Sequence, residues 1–259
     1  MTEVVSEPTN RTPTEASRVE LLYAPALKRN SLTTFFRLIL AIPHFFVMAA
    51  LLYMAMFVSF IGWVGALFNR RLSPSIAALI EQVIGYAVRV NAYLGLLTDV
   101  YPPFHLSNVV YPFEVVFPER PALNRWAVFF RFFLMLPALV VNQVVAAGVA
   151  VLNIINWFIS FITGKTLPAF YEINLASQRF TLRLYSFGFM LTSTYPGGLF
   201  GDGPRTEADL PLSDSSSRTK VILDKGRTLL IVAIVIGIIY SIVSISLNAA
   251  STSSTTTYP

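Results

Sequence analysis

Long uncharged stretches alternate along this chain with short polar breaks, and the whole alternation occurs twice. From Leu38 to Phe68 no charged residue interrupts 31 consecutive positions. As one helix this stretch would measure about 46 Å, against a hydrocarbon core of about 30 Å. Pro43 lacks an N–H and disfavours helix at the residue before it, which predicts a kink or restart there and a span from Pro43 to Phe68. The polar run Asn69 to Pro74 reads as a turn, with Ser73 as cap and Pro74 in the first helical turn. Ser75 to Thr98 is a second span, interrupted by Glu81, Gln82, Arg89 and Asn91, so the two helices make a transmembrane hairpin. Phe132 to Ile162, a turn at Thr163-Gly164-Lys165, and Ala169 to Thr192 predict a second hairpin, and Thr228 to Asn248 a last apolar helix.

The second hairpin repeats the first at a displacement of 94 positions. Asn30 falls on Asn124, Phe35-Phe36-Arg37 on Phe129-Phe130-Arg131, Pro43 on Pro137, Trp63 on Trp157, Arg89 on Arg183 and Tyr101-Pro102 on Tyr195-Pro196. Rare residue types held in register mark an internal duplication. The resulting expectation is an all-α integral membrane protein: two tandem parallel-repeat transmembrane hairpins plus a C-terminal transmembrane helix, about five spans in all. Residues 1–18 read as a disordered cytoplasmic tail without a cleavable signal peptide, 19–105 as the first repeat and 106–201 as the second. A linker at 202–227, the last helix at 228–248 and a polar tail at 249–259 complete the order. Short extra-membrane β-strands are expected between Asn108 and Pro121, a β-branched and aromatic segment broken by prolines, pairing with Val19 to Tyr23.

Composition supports the membrane reading. The chain is 54% hydrophobic and only 13% charged, with mean hydropathy +0.62, outside the soluble range. It has no cysteine, which excludes disulfides, thiolate metal sites and a cysteine nucleophile. The net charge of +5 comes from cations flanking apolar segments, which argues for membrane orientation over nucleic acid. With the N-terminus inside, 13 of the 19 cations fall on the cytoplasmic side, among them Lys28, Arg29, Arg120, Arg125 and Arg131. Arg70, Arg71 and Lys165 fall outside. The count places the N-terminus in the cytoplasm, the C-terminus outside, and both repeats the same way up about an axis along the membrane normal.

Phe35-Phe36-Arg37 followed by Pro43, then Trp63, then Arg89-Val-Asn-Ala-Tyr93 and Leu97-Thr-Asp-Val-Tyr-Pro-Pro-Phe104, resembles the bacterial membrane family known only as domain of unknown function 4389, common in actinobacteria. The two copies cover about Glu20 to Gly201. The second departs from the pattern at Tyr185 for Asn91, Ser193 for Asp99, and Pro-Gly-Gly for Pro-Pro-Phe. The resemblance implies a bacterial plasma-membrane protein with no assigned reaction.

Ionisable groups inside apolar spans are the candidates for a site, since a charge at mid-bilayer costs at least about 2.5 to 3.5 kcal/mol. Glu81, Arg89, Glu172, Arg179 and Arg183 form this set. They line either a central cleft for an anionic headgroup or ion, or structural pairs between neighbouring helices. Asn142, Asn153 and Asn156 share one face of the second repeat's long helix, as interhelical glue or a partner-contact stripe. His44 and His105 are too far apart in sequence to suggest a metal site, and no phosphate loop or acyltransferase motif occurs, so no cofactor is expected. The Asn10-Arg-Thr12 glycosylation pattern falls in the cytoplasmic tail and is read as incidental. The sequence therefore suggests a non-enzymatic accessory or assembly subunit of a cell-envelope or transport complex, with the bilayer and other membrane subunits as partners. The rival is a small transporter or lipid-translocating protein with its site between the repeats.

Overall fold

A computed structural model describes residues 18–107, 109–120, 122–202 and 220–255. The expected N-terminal tail up to residue 17, the glycosylation pattern, most of the linker and the last four residues lie outside these. In chain order the elements are β1 (Glu20–Tyr23), α1 (Ser31–Asn69), α2 (Pro74–Leu94), β2 (Phe113–Val116), α3 (Arg125–Phe129), α4 (Arg131–Thr163), α5 (Pro168–Gly188) and α6 (Gly226–Thr255).

The duplication is visible in the backbone. Asn30 caps α1 by accepting from Leu32 N at 3.0 Å, and Asn124 caps α3 by accepting from Trp126 N at 3.0 Å, each satisfying one of the orphan N–H groups of a helix start. Arg70 and Gly164 close α1 and α4 in the left-handed region, at φ 56° and 65°. Leu96 and Met190 repeat that conformation after α2 and α5, at φ 57° and 65°. Pro74 and Pro168 open α2 and α5, where a missing N–H costs nothing, but Ser73 makes no side-chain cap. The expected restart at Pro43 does not occur. α1 continues through the proline for 39 residues, and the Tyr101 hydroxyl donates to the Leu40 carbonyl one turn before it. In the second copy the helix breaks at Phe130 instead, ahead of Pro137.

Among the described residues three helices are long and apolar enough to cross a membrane, α1, α4 and Gly226–Ser251 of α6, in place of the five spans expected. The two that fall away are α2 and α5. α5 carries Glu172, Arg179 and Arg183 and is buried along nearly its whole length, so protein rather than lipid accommodates its charges.

The repeats meet through reciprocal contacts. Trp63 Nε1 donates to the Val128 carbonyl at 2.9 Å and its counterpart Trp157 to the Thr34 carbonyl at 2.7 Å. Leu123 N donates to Arg70 O at 2.7 Å and Arg29 N to Gly164 O at 2.8 Å. In each pair both partners are 94 positions from those of the other, the signature of an isologous, twofold interface. The start of α1 therefore lies beside the end of α4, and the end of α1 beside the start of α3 and α4. The long helices are antiparallel, which replaces the expectation of two copies pointing the same way. α2 and α5 also run antiparallel, joined where Gln178 Nε2 donates to Val88 O at 2.6 Å. β1 and β2 pair antiparallel with Leu21 opposite Val115, themselves counterparts, so the pseudo-twofold axis passes through that pair.

This arrangement also removes the basis for the orientation count. Arg70, assigned outside, holds Leu123 through its carbonyl, and Arg125, assigned inside, donates to Phe68 O at 3.0 Å. Lys28 and Lys165, likewise assigned to opposite faces, form a β-bridge. Apolar packing falls into two groups. One fills the space between the ribbon, α2 and α5, with Leu21, Phe113, Ile80, Ile84, Tyr171 and Leu175. The other lies between α4, α5 and α6, with Val145, Leu152, Ile173, Leu230 and Ala233.

Candidate functional site

The duplicated arginines are buried, but they face loops rather than carboxylates. Arg89 donates through Nη2 to His105 O at 2.7 Å and lies over the Tyr86 ring at 5.8 Å. Tyr111, from the strand segment, donates to Arg89 O and Val100 O, and burial pushes its phenol pKa up. Arg183 donates through Nε to Val19 O at 3.4 Å and through Nη1 to Gly197 O at 3.0 Å. Burial and the neighbouring Arg179 lower its pKa to about 10. Arg179, with no exposed surface, pairs with Asp202 and donates to Gly198 O. Gly198 sits at φ 76°, where a Cβ would come within 2.6 Å of Arg183 Nη1. The left-handed backbone favours glycine there.

The acids of the predicted cluster lie elsewhere. Glu172 accepts from Asp224 N at 2.9 Å and Gly226 N at 2.7 Å through Oε2, so it caps the start of α6, where a carboxylate is favoured by the helix dipole. Glu81 is half-buried. Burial raises its pKa and Arg120, not Arg89, opposes that shift. The five candidates therefore do not converge on one cleft.

A buried ionic group that sequence reading missed lies at the start of each long helix. Arg37, 1% exposed, stacks over Tyr93 at 4.5 Å, donates to the Tyr93 carbonyl and to Thr98 O, and meets Asp99 at 2.5 Å. Arg29 donates twice to Leu96 O, at 3.0 and 2.7 Å. Burial lowers its pKa while Asp99 opposes the shift. Asp99 also accepts from Asn30 N at 2.7 Å. The second copy keeps the arginine and changes its company. Arg131 stacks over Phe187 at 4.4 Å and donates to Thr192 O at 3.3 Å, while Leu123 and Ser193 stand where Arg29 and Asp99 stood. Its Nε and Nη1 are buried without a hydrogen-bond partner. The repeated Phe-Phe-Arg motif and the Asp99-to-Ser193 difference were the available signals.

With this geometry present in both halves, the sequence comparison is decisive: residues 31–105 and 125–199 each match the family described as Domain of unknown function (DUF4389). The chain belongs to that family. No curated protein and no solved structure matches it.

Each DUF4389 copy thus runs from the first helix of its repeat to the loop gripped by its duplicated arginine. The asparagines of the second copy point inward rather than toward a partner. Asn142 accepts from Thr181 Oγ1 at 2.7 Å, Asn153 and Asn174 exchange bonds at 2.8 and 2.7 Å, and Asn156, with no exposed surface, accepts from Ser160 at 3.4 Å. They tie α4 to α5. In the first DUF4389 copy, His44 Nδ1 bonds Tyr86 Oη at 2.6 Å and its ring stacks on Phe104 at 4.3 Å, an aromatic packing role. Where the two copies join, a cleft of about 760 Å³ opens between Arg70, Arg125, Asn124, Trp126, Leu67 and Phe129.

Proposed function

We propose that the protein is a non-enzymatic subunit of the bacterial plasma membrane that helps assemble, or forms an accessory part of, a larger envelope or transport complex. The observation supporting this reading is a seat that the symmetry provides twice and that the described elements fill once. α6 packs on α4 and α5, burying Val145, Leu152, Phe170 and Ile173 to 9% exposure or less. Gly148 faces the Ala233 carbonyl and Gly237 the Val144 carbonyl so closely that a Cβ would overlap either. The counterparts in the first copy, Leu51, Val58, Ile76 and Leu79, are only half-buried, and among the described elements no helix covers them. Glu172, which caps α6, is replaced there by Ala78, and Gly148 by Met54, 36% exposed. An apolar seat without a carboxylate suits an apolar helix contributed by another subunit.

Transport between the repeats would draw on Arg89, Arg179, Arg183 and Glu172, and those groups are already engaged with loops and with α6. A photo-crosslinker placed at Leu79, and at Phe57 as control, tests the proposal in native membranes. A discrete protein adduct from position 79 alone is expected. Adducts only to lipid, or equal adducts from both positions, would count against a partner helix.

A further inference from the structure

The symmetry limits how the molecule can lie in a bilayer. The axis exchanges the junction at Arg29 and Gly164 with the junction at Leu123 and Arg70, so anything on the axis is equidistant from both. The ribbon lies on the axis, through Leu21 and Val115. If α1 and α4 crossed the membrane, the two junctions would occupy opposite faces and the ribbon would fall at mid-bilayer. A two-stranded ribbon has two open edges, and the outward Glu114 is exposed. Hydrocarbon does not tolerate lipid-facing strand edges, because their N–H and C=O groups have no partner there.

Three further observations point the same way. Both junctions carry exposed cations, Lys28 and Lys165 at one and Arg70, Arg71 and Arg125 at the other, where a spanning pair would gather them at one membrane face. Exposed Trp126 beside the second junction is a residue type of the headgroup level. α1 and α4, at 39 and 33 residues, measure about 58 and 50 Å, well beyond the roughly 30 Å of a bilayer core.

We propose that the pseudo-twofold axis stands along the membrane normal. The ribbon faces water, and α1 and α4 lie embedded as an apolar slab, with both ends of each helix at the same membrane face. The large apolar side chains exposed on the two helices, such as Phe46, Phe57, Phe132 and Ile154, are the surface that lipid chains cover. Cations at both junctions then meet anionic headgroups of one leaflet.

The cysteine-free chain permits a direct test. Single variants Lys28→Cys, Arg71→Cys and Glu114→Cys, all at exposed positions, are labelled with a membrane-impermeant maleimide in right-side-out and in inverted vesicles. All three should label from one and the same side. Labelling of positions 28 and 71 from opposite sides, or of either only after detergent, overturns the proposal. Gel-filtration elution matching the unsubstituted protein establishes that each variant is folded.

Discussion

Asp99 meets Arg37 at 2.5 Å and takes the Asn30 amide at 2.7 Å, so a single carboxylate joins the start of α1 to the turn that follows α2. Arg131, its partner's counterpart, has only Ser193 in that place. Removing the carboxylate leaves Arg29 and Arg37 buried without an anion. Asp99→Ala should destabilise the protein by about 3 kcal/mol, the low end for breaking a buried pair because Asp99 is a quarter exposed. Ser193→Ala should be close to neutral, and Ser193→Asp should raise the melting temperature by giving Arg131 its missing partner. Thermal unfolding in detergent distinguishes the three.

Glu172 fixes the start of α6 through two backbone amides. Glu172→Ala should cost about 1 to 2 kcal/mol, the magnitude of a lost helix cap. The loss should be local. Hydrogen exchange should accelerate over the first turns of α6 while α2 keeps its protection.

Close packing of α6 on α4 depends on Gly148, where an added Cβ would overlap the Ala233 carbonyl. Gly148→Ala should displace α6 and lower stability by about 1 to 3 kcal/mol, as overpacking does. Gly65, with nothing within 4 Å of a Cβ, is the control. Gly65→Ala should be neutral or stabilising by up to about 1 kcal/mol. Melting curves of the two variants, measured together, check the contrast.

The indoles of Trp63 and Trp157 each donate one hydrogen bond across a junction. Trp63→Phe and Trp157→Phe should each cost about 0.5 to 1.5 kcal/mol for the lost bond. As the junctions lie at opposite ends of the long helices, the double variant should equal the sum within about 0.5 kcal/mol. A marked departure from additivity would show that the junctions open as one unit.

The register of the duplication was legible because Trp, Pro and Arg recur at fixed spacing, and the pairing of Val19–Tyr23 with the segment after Asn108 could be read from β-branched content and proline placement. The relative direction of the copies was not legible. Periodicity identifies which face of a helix is buried, but it is blind to which end of the other copy meets it. The same limit governs the asparagines. Their common face is evident, whereas its target, Asn174 and Thr181 on α5, belongs to a helix that the sequence presents as a membrane span of its own. Arg89 and Arg183 stand out in the sequence as charges in apolar surroundings, but their acceptors are loop carbonyls, which every residue type supplies and no pattern announces.

The reciprocal bonds at the two junctions are those of a symmetric homodimer whose halves are covalently joined. Joining them makes their encounter intramolecular, so the interface holds at any protein concentration. It also frees each half from having to match itself. A residue changed in a true homodimer changes twice, once on each side of the axis. Here Asp99 and Ser193, Glu172 and Ala78, or Gly148 and Met54 differ across the axis, and one half carries α6 while no described helix covers the matching flank of the other. Fusion is what lets a twofold scaffold become one-sided.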